Sequence, residues 1–565
     1  MQIRKNTIEN LRKNPKVDVL IIGAGINGAG LFRELALQGI ECILIDKADF
    51  MSGASAAPSR MIHGGLRYLE NREVRLVKES LTERNLLLQN APHYVRPLPT
   101  MIPIYHWFSG VVNGIRKFFG MKATSTPRGA VIVKLGLLMY DIFTRKQRVM
   151  PSHKFTNKQQ SLSHRPLLDP KIVCTALFYD AWISYPERLG IELIQDGLRL
   201  MSGSKVLNYV SLNGIKKGEV LLKDELSKEQ LVVQPRLMVN ATGAWIDLAN
   251  AALGIKTKLI GGTKGSHLMV DNQILLNEID GQMVYYENDE GRICILFPLH
   301  GKVMVGSTDI KISNPEEAIC TDEEVAYMLG CVRQVFPKLE IDASHIVFRY
   351  SGVRPLPYSD GSLKNAQISR DHQIEIIEPS IGFPFPILNL IGGKWTTFRA
   401  FGEQTATIVL KQLEKPVKVS SRNTPIGGGK DFPATDEEKD KWVLNLKKKT
   451  ELNTERIQTL LFRYGTKAEI IAKYTTLNPD RFLIHNQYYS QREIEYLIHE
   501  EFVIHLDDLL LRRTVIALSG QLTYELLIEL AEILRNCLQY TDQEKNNEIT
   551  RTRHILETKH GIKFK

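Results

Sequence analysis

The stretch from Val17 to Asp46 limits this chain more than any other. Val17–Ile22 (VDVLII) is a short apolar run of the kind buried as a parallel strand, and it leads directly into Gly23-Ala24-Gly25-Ile26-Asn27-Gly28. A helical pattern follows through Leu31, Leu35 and Ala36 to Gly39, and a second apolar run, Cys42–Ile45, ends at Asp46. That succession is a βαβ unit opening a doubly wound sheet. Gly23 permits the tight turn, Gly25 lets the backbone approach a pyrophosphate whose charge rests on the helix N-terminus, and Gly28 completes the GxGxxG spacing. Asp46 is placed to accept hydrogen bonds from ribose hydroxyls. A GxGxxG by itself also occurs as an ordinary glycine-rich turn. With strand, helix and distal acid in register, a dinucleotide site is the preferred reading.

Two later segments favour FAD over NAD. Asn240-Ala241-Thr242-Gly243-Ala244-Trp245 follows an apolar strand, as where a second backbone segment returns to a flavin nucleotide. Gly392-Gly393-Lys394-Trp395-Thr396-Thr397 follows the apolar run Leu388–Ile391 and precedes a helical stretch. A helix starting there points its positive end at the flavin edge where negative charge develops on reduction. Each segment alone reads equally well as a plain strand-to-helix turn.

At 565 residues the chain exceeds one ordinary core and predicts two or three domains. Further strand signals lie at Leu237–Val239, Leu268–Val270, Ile293–Pro298 and Val303–Val305, so a second sheet interrupts the nucleotide domain. After Gly427-Gly428-Gly429 and Pro433 helical periodicity takes over, with Leu527, Leu530, Ala531, Leu534 and Leu538 on one face and Glu525, Glu529 and Glu532 off it. The expected division is a polar N-terminal extension (1–16), an oxidoreductase region (17–425), a linker (426–435) and a helical C-terminal domain (436–565). Within the oxidoreductase region a substrate domain is expected at about 99–170 and 255–345. The six cysteines are scattered with no CxxC pair, which argues for reduced thiols in a cytosolic compartment and against a disulfide framework or a metal site. No apolar run is long and uncharged enough to span a membrane; the most apolar, Val131–Phe143, is broken by Lys134 and Asp141.

Six separated motifs then resemble the FAD-dependent glycerol-3-phosphate dehydrogenases of the aerobic, respiratory type. They are IHGGLRYLE (62–70), KGSH (264–267), GSTD (306–309), SGVRPL (351–356), SRDH (369–372) and GGKWTTFR (392–399), in family order. The resemblance covers nearly the whole chain. It implies an α/β architecture: a Rossmann-like, glutathione-reductase-type FAD domain, a discontinuous antiparallel-sheet substrate domain and an all-helical C-terminal domain. It implies that Arg67, Tyr68, Arg370 and Lys394 bind glycerol 3-phosphate beside the flavin. His267 is then the base that takes the C2 hydroxyl proton, and Arg354 orients the substrate and stabilises the developing alkoxide. His63, Gly64 and Gly65 bring backbone to the isoalloxazine ring, and Thr242, Gly243, Gly393, Thr396 and Thr397 contact the cofactor. Residue chemistry agrees, because a phosphomonoester dianion needs cations and arginine suits bidentate phosphate recognition. Imidazole titrates near neutrality, as such a base should. Lys264 and Asp309 carry weaker signals. The chain departs from the family pattern at Ser52–Arg60, which is poor in hydroxyls and contains Pro58, at Ala244, and at Ser184–Arg188.

The resemblance also implies a membrane quinone as electron acceptor and a peripheral location on the inner face of the cell membrane. Net charge of +10 suits anionic lipid and phosphorylated metabolites. His106–Lys122 mixes Trp107, Phe108, Val111, Val112, Ile115, Phe118 and Phe119 with Arg116, Lys117 and Lys122 and no acid, as an interfacial helix does; a buried helix is the alternative. No nucleic-acid-binding module is recognisable. A homodimer is a possible assembly. Rival functions are a glycerol-3-phosphate oxidase using O2, a catalytically silent flavin module that docks on membranes, and an amine oxidase of the same broad group.

Overall fold

Each strand signal read from the sequence falls inside a strand, and the order of the first sheet explains why Lys16–Ile22 is apolar on both faces. The computed structural model describes residues 2–65, 73–109, 129–144, 150–360 and 371–564. In it Lys16–Ile22 lies between Gln230–Asn240 and Cys42–Ile45, parallel to both. Ile387–Ile391 extends the parallel set beyond Gln230–Asn240, Lys205–Leu207 extends it beyond Cys42–Ile45, and Gln373–Ile377 adds an antiparallel edge. A strand with neighbours on both edges and layers on both faces has no wet side to carry polar residues.

One face is covered by the helices Ile26–Leu37, Pro186–Leu200 and Phe398–Gln412, whose Leu31, Phe32, Leu35, Leu193, Phe401 and Val409 share a buried cluster. The opposite face is covered by the antiparallel extension Val210–Lys216/Glu219–Asp224 and by the N-terminal helix Gln2–Lys13. The polar N-terminal extension is therefore packed as well as polar: Leu11 is fully buried and Arg4 pairs with Asp224 at 2.7 Å.

The second sheet has ten strands, drawn from Met61–Ile62, Val95–Ile104, Lys154–Asn157, Cys174–Ile183 and several strands between Thr263 and Arg354. All its pairings are antiparallel except Met283–Glu287 against Val95–Ile104. Its central strand Thr263–Val270 is flanked by Lys302–Gly306 and Ile346–Arg354, which sets His267 opposite Gly306 and Tyr350.

The C-terminal region is helical from Asp436 to His560, with one short hairpin, Phe482–Leu483/Asn486–Ser490. Thr435 and Thr541 start two of its helices with capping boxes. Leu527, Leu530, Ala531, Leu534 and Leu538 are buried and pack in one cluster with Phe297, Met304 and Phe348 of the second sheet. All six cysteines are free; five are buried and Cys537 is half-buried.

Buried charge ties this helical region to the nucleotide domain. Asp49 is completely buried and accepts from Arg513 through both oxygens at 2.8 and 2.9 Å, and from Arg512 at 2.5 Å. Arg188 grips Glu501 at 2.8 and 2.7 Å. Removing one partner strands the other in low dielectric. Asp49→Ala is therefore expected to destabilise the protein by about 3–5 kcal/mol, measured as a lower urea midpoint, whereas Arg12→Ala, which breaks an exposed pair with Glu229, is expected to change it little.

Candidate functional site

Glycine is required by contact at the first strand-to-helix turn. Gly23 has φ +96°, and a Cβ there would lie 2.7 Å from the Ala241 carbonyl oxygen. A Cβ on Gly28 would collide with the carbonyl oxygen of Gly23, so Gly28 lets helix Ile26–Leu37 start against the turn. The N-cap Gly25 offers no side-chain cap. A helix N-terminus without a side-chain cap suits an anion; of its N–H groups Ile26 donates to Ser55 Oγ at 2.9 Å. Asp46 accepts from the Ala24 and Ala48 N–H groups at 2.7 and 3.0 Å. Burial pushes its carboxyl up to about 6, and those two hydrogen bonds oppose the rise.

This turn forms one wall of a cavity of about 1700 Å³. That exceeds the roughly 300–1,000 Å³ of ordinary ligand pockets and leaves room for a dinucleotide together with a small substrate. Gly23, Gly25, Asp46, Thr242 and Gly243 line it from the nucleotide domain, and His63, Gly65, Gly393, Lys394 and Thr396 line it where the two sheets meet. His267 and Arg354 reach it from the second sheet. Gly28, Gly64 and Thr397 stand behind the wall. Arg67, Tyr68 and Arg370 lie outside the described residues, as do Val111–Lys122 of the basic aromatic segment.

The residues behind the wall hold it in place. Gly64 donates to Tyr140 Oη at 3.1 Å and to Asp180 at 3.4 Å, while Arg84 donates to the same two groups at 3.0 and 2.9 Å. Thr396 Oγ1 accepts from the His63 N–H at 3.3 Å. Gly393 has φ +89°, and a Cβ there would sit 2.7 Å from Asn27 Nδ2, which donates to the Gly392 carbonyl at 3.2 Å. The segment Gly392–Thr397 therefore meets the first helix at its N-terminus, and the next helix, Phe398–Gln412, follows at once. A glycine cradle, a helix N-terminus without a cap, a carboxylate at the second strand and a second positive-φ turn fit a flavin dinucleotide.

At the polar end the His267 ring packs over Gly306 and stacks on Tyr350 with centroids 5.0 Å apart. Its Nε2 lies 2.8 Å from Ser59 Oγ, and its buried Nδ1 has no partner among the described residues. Burial, and then the Arg354 and Arg60 guanidiniums, push its pKa down to about 3. The sequence alone suggests a value near neutrality; the structure makes this imidazole firmly neutral. Arg354 extends over Gly265 and is held by Ser307 Oγ at 3.1 Å and Asp309 at 3.3 Å, with a quarter of its side chain exposed. Lys394 donates to Ser80 Oγ at 3.1 Å. Lys264 is committed to the core, donating to Glu324 at 2.7 Å; Ser266 and Thr308 donate to that same carboxylate.

Sequence reasoning missed the Ser59 partner of His267, the Arg84–Tyr140–Asp180 group behind Gly64, and the arrival of Arg551, Lys559 and His560 from the last helix at the cavity wall. Ser59 adjoins a motif and was within reach. No sequence pattern joins Tyr140 to Gly64 or the last helix to the first turn.

Comparison with known proteins bears on the family and the fold. Residues 18–386 match the family described as FAD dependent oxidoreductase, and residues 419–545 match the C-terminal domain of alpha-glycerophosphate oxidase. A glycerol-3-phosphate dehydrogenase of Synechocystis sp. is 31% identical, over 96% of this chain and 97% of its own length. An aerobic glycerol-3-phosphate dehydrogenase of Staphylococcus aureus is 27% identical, over 90% of this chain and 88% of its own. The crystal structure of a glycerol-3-phosphate dehydrogenase from Bacillus halodurans, complexed with FAD, superposes with a TM-score of 0.74 at 20% identity, covering 98% of this chain and 97% of that one, and so shares the fold.

Because no Cβ fits between residue 28 and the Gly23 carbonyl, Gly28→Ala is expected to yield protein without flavin absorbance at 450 nm (roughly the flavin band, read as bound FAD per chain), while Gly330→Ala, which meets nothing, keeps full occupancy.

Proposed function

This chain belongs to the glycerol-3-phosphate dehydrogenase family of FAD-dependent oxidoreductases, and from that premise we propose that it oxidises sn-glycerol 3-phosphate to dihydroxyacetone phosphate and passes the electrons to a membrane quinone. The observation that carries the reading is the convergence of Arg354, Lys394 and His267 on the cavity that the glycine turn opens. FAD supplies the acceptor for the hydride from C2. The chain's residues do the rest. Arg354 and Lys394 bind the phosphorylated substrate, with Arg67, Tyr68 and Arg370 assigned there by their motifs. Arg354, kept in place by Asp309, also offsets charge developing on the C2 oxygen.

The proton leaves to the pair formed by His267 Nε2 and Ser59 Oγ. A neutral imidazole can accept it, but a pKa near 3 gives it little pull. Burial is the main cause of that depression and the Arg354 guanidinium the second; a phosphate dianion beside Arg354 offsets the second, so substrate binding returns part of the basicity. In the substrate-free site His267 stays neutral through the whole range of ordinary assays. The acid limb of kcat/KM is then expected near pH 6, where the substrate phosphate takes up its second proton (about 6), and to keep its midpoint in His267→Gln. That variant should lose about 10²–10⁴-fold in kcat. Arg354→Met should lose about 10–100-fold in kcat/KM, as expected for a hydrogen bond to a charged group. A limb that vanishes in His267→Gln would assign the titration to the histidine instead.

Relatives named dehydrogenase favour this reading over an O2-dependent oxidase, and a phosphate-binding set of cations favours it over an amine oxidase or a silent flavin module. Bleaching of the bound flavin by glycerol 3-phosphate, but not by glycerol or amino acids, is the decisive test of substrate.

An apolar surface supports peripheral docking on the inner face of the cell membrane. Helix Ala130–Thr144 exposes Val131, Leu135, Leu138 and Ile142, at i, i+4, i+7 and i+11, with exposed Trp107 and Phe108 before it. This stripe lies in the most apolar stretch of the sequence, C-terminal to the segment whose basic aromatic pattern stood out. No helix among the described residues is long and apolar enough to cross a membrane. The double variant Leu135→Asp/Ile142→Asp is expected to remain in the supernatant when spun with anionic vesicles that sediment the parent protein; equal sedimentation would place the docking surface elsewhere.

A further inference from the structure

Lys264 opens the KGSH motif, yet it stands behind the cavity wall and takes no part in the chemistry above. Its ammonium donates to Glu324 at 2.7 Å. That buried carboxylate also accepts from Ser266 Oγ at 2.8 Å, from Thr308 Oγ1 at 2.6 Å and from the Thr321 N–H at 3.0 Å. The segment 309–320 therefore leaves and rejoins the fold at one carboxylate. Both of its feet are fixed to the central strand of the second sheet. Ile310–Lys311 pairs with Thr263 and Lys264, and the Ile312 N–H donates to the Gly262 carbonyl at 3.2 Å. At the other foot Lys264 donates to the Ile319 carbonyl at 2.7 Å. A loop whose ends meet while its tip projects is an Ω-loop, a form often found at functional sites.

The tip reaches the other sheet. Asn314 caps the short turn Pro315–Glu317, accepting from the Glu316 N–H at 3.1 Å. One oxygen of Glu316 accepts from the indole N–H of Trp245 at 2.8 Å and also from the Lys47 ammonium, which lies 5.1 Å from the centre of the Trp245 ring. Burial alone would raise the Glu316 carboxyl; Lys47 and the indole N–H outweigh it, so the group accepts as a carboxylate. The indole in turn lies over Gly53, where a Cβ would meet it at 3.5 Å. Lys47 follows Asp46, the carboxylate at the end of the second strand, and Trp245 follows the positive-φ turn at Gly243. Lys47, Trp245, Pro315 and Glu316 all line the large cavity. A residue carried by the second sheet thus joins two turns of the first sheet, on the wall of the cavity that fits the dinucleotide.

We propose that the segment 309–320 is a strap across the dinucleotide site and that Glu316 is its latch, so that FAD leaves only when Glu316 lets go of Lys47 and Trp245. Glu316 is a positioning residue: it acts on the cofactor through the two turns it ties together. The inference rests on the flavin site and not on the substrate or the electron acceptor. The latch and the feet differ in strength. The Lys47–Glu316 pair is about half exposed on both sides, and such pairs contribute little, whereas the Lys264–Glu324 pair is buried and braced by hydroxyls. The tip is therefore the part that opens, and the feet stay in place. This also gives Lys264 its purpose, as the anchor of the strap.

The test follows exchange of bound FAD against an excess of tritium-labelled FAD in the full-length flavoprotein. Glu316→Ala and Trp245→Phe should each speed exchange by about threefold to tenfold, the range for losing one hydrogen bond and an exposed ion pair. Because the two residues act through one contact, the double variant should exchange no faster than the faster single variant. Glu229→Ala, which breaks the exposed pair with Arg12 away from the cavity, should exchange at the parent rate. The urea midpoint should stay at the parent value in all of them, since every changed side chain is at least partly exposed. Exchange at the parent rate in both single variants, or additive acceleration in the double variant, would overturn the latch. A parent protein that holds no FAD would overturn the latch together with the flavin reading.

Discussion

The buried carboxylate of Asp49 holds the architecture together. It sits three residues beyond Asp46, in the loop that leaves the second strand, and it is closed off from water by guanidiniums that arrive from the far end of the chain. Burial alone raises a carboxyl; here Arg513 and Arg512 outweigh it and hold Asp49 below the usual carboxylate range. Arg512 also bonds Asp507 and Asp508, and Arg551 pairs with Asp507, so three acids and three bases form one network. Such a group is poor as a source of net stability but strict about geometry, because no member can leave without stranding another. It fixes where the helical domain sits against the nucleotide loop, and from that position the last helix reaches the cavity wall.

The same logic of burial governs the chemistry at the polar end. Arg354, Lys394 and His267 share a wall, and each bonds a neighbour there: Ser80 for Lys394, Ser59 for His267, and the Thr308 carbonyl and Asp309 for Arg354. Arg354 and Lys394 both line the cavity, where an incoming anion can reach them. Lys264 shows the opposite case. It is one motif away and equally basic, but Glu324 takes its charge and the core takes the pair. The difference between a binding residue and a structural one is therefore the partner across the strand, which a single sequence does not display.

That is also where legibility ended. The βαβ unit was readable because its determinants are local: strand, glycine spacing, helix and acid fall within thirty residues, and the collisions at Gly23 and Gly28 are with the turn itself or its parallel neighbour. The helical domain was readable from one amphipathic face, and Leu527 to Leu538 are buried as the period requires. Motif resemblance supplied His267 and Arg354, which no spacing argument reaches. What stayed hidden depends on contacts between residues distant along the chain. His267 looks like an ordinary imidazole until Arg60, Arg354 and the surrounding sheet are placed around it. Ser59 stands in an irregular, proline-containing stretch whose partner lies 208 positions away. The N-terminal segment reads as a polar tail, since one buried Leu11 among charged residues gives no periodic signal.

The helix Ala130–Thr144 joins these themes. Its outward face carries an apolar stripe exposed among the described residues, while Tyr140, on the inward face, accepts from the Gly64 N–H and shares Asp180 with Arg84. A single rigid element thus connects the outer surface to the loop that lines the flavin end of the cavity. Tyr140 is buried, and beside Asp180 its phenol is held far above its ordinary range, so the link is a neutral hydroxyl that donates to a carboxylate and is not a titrating switch.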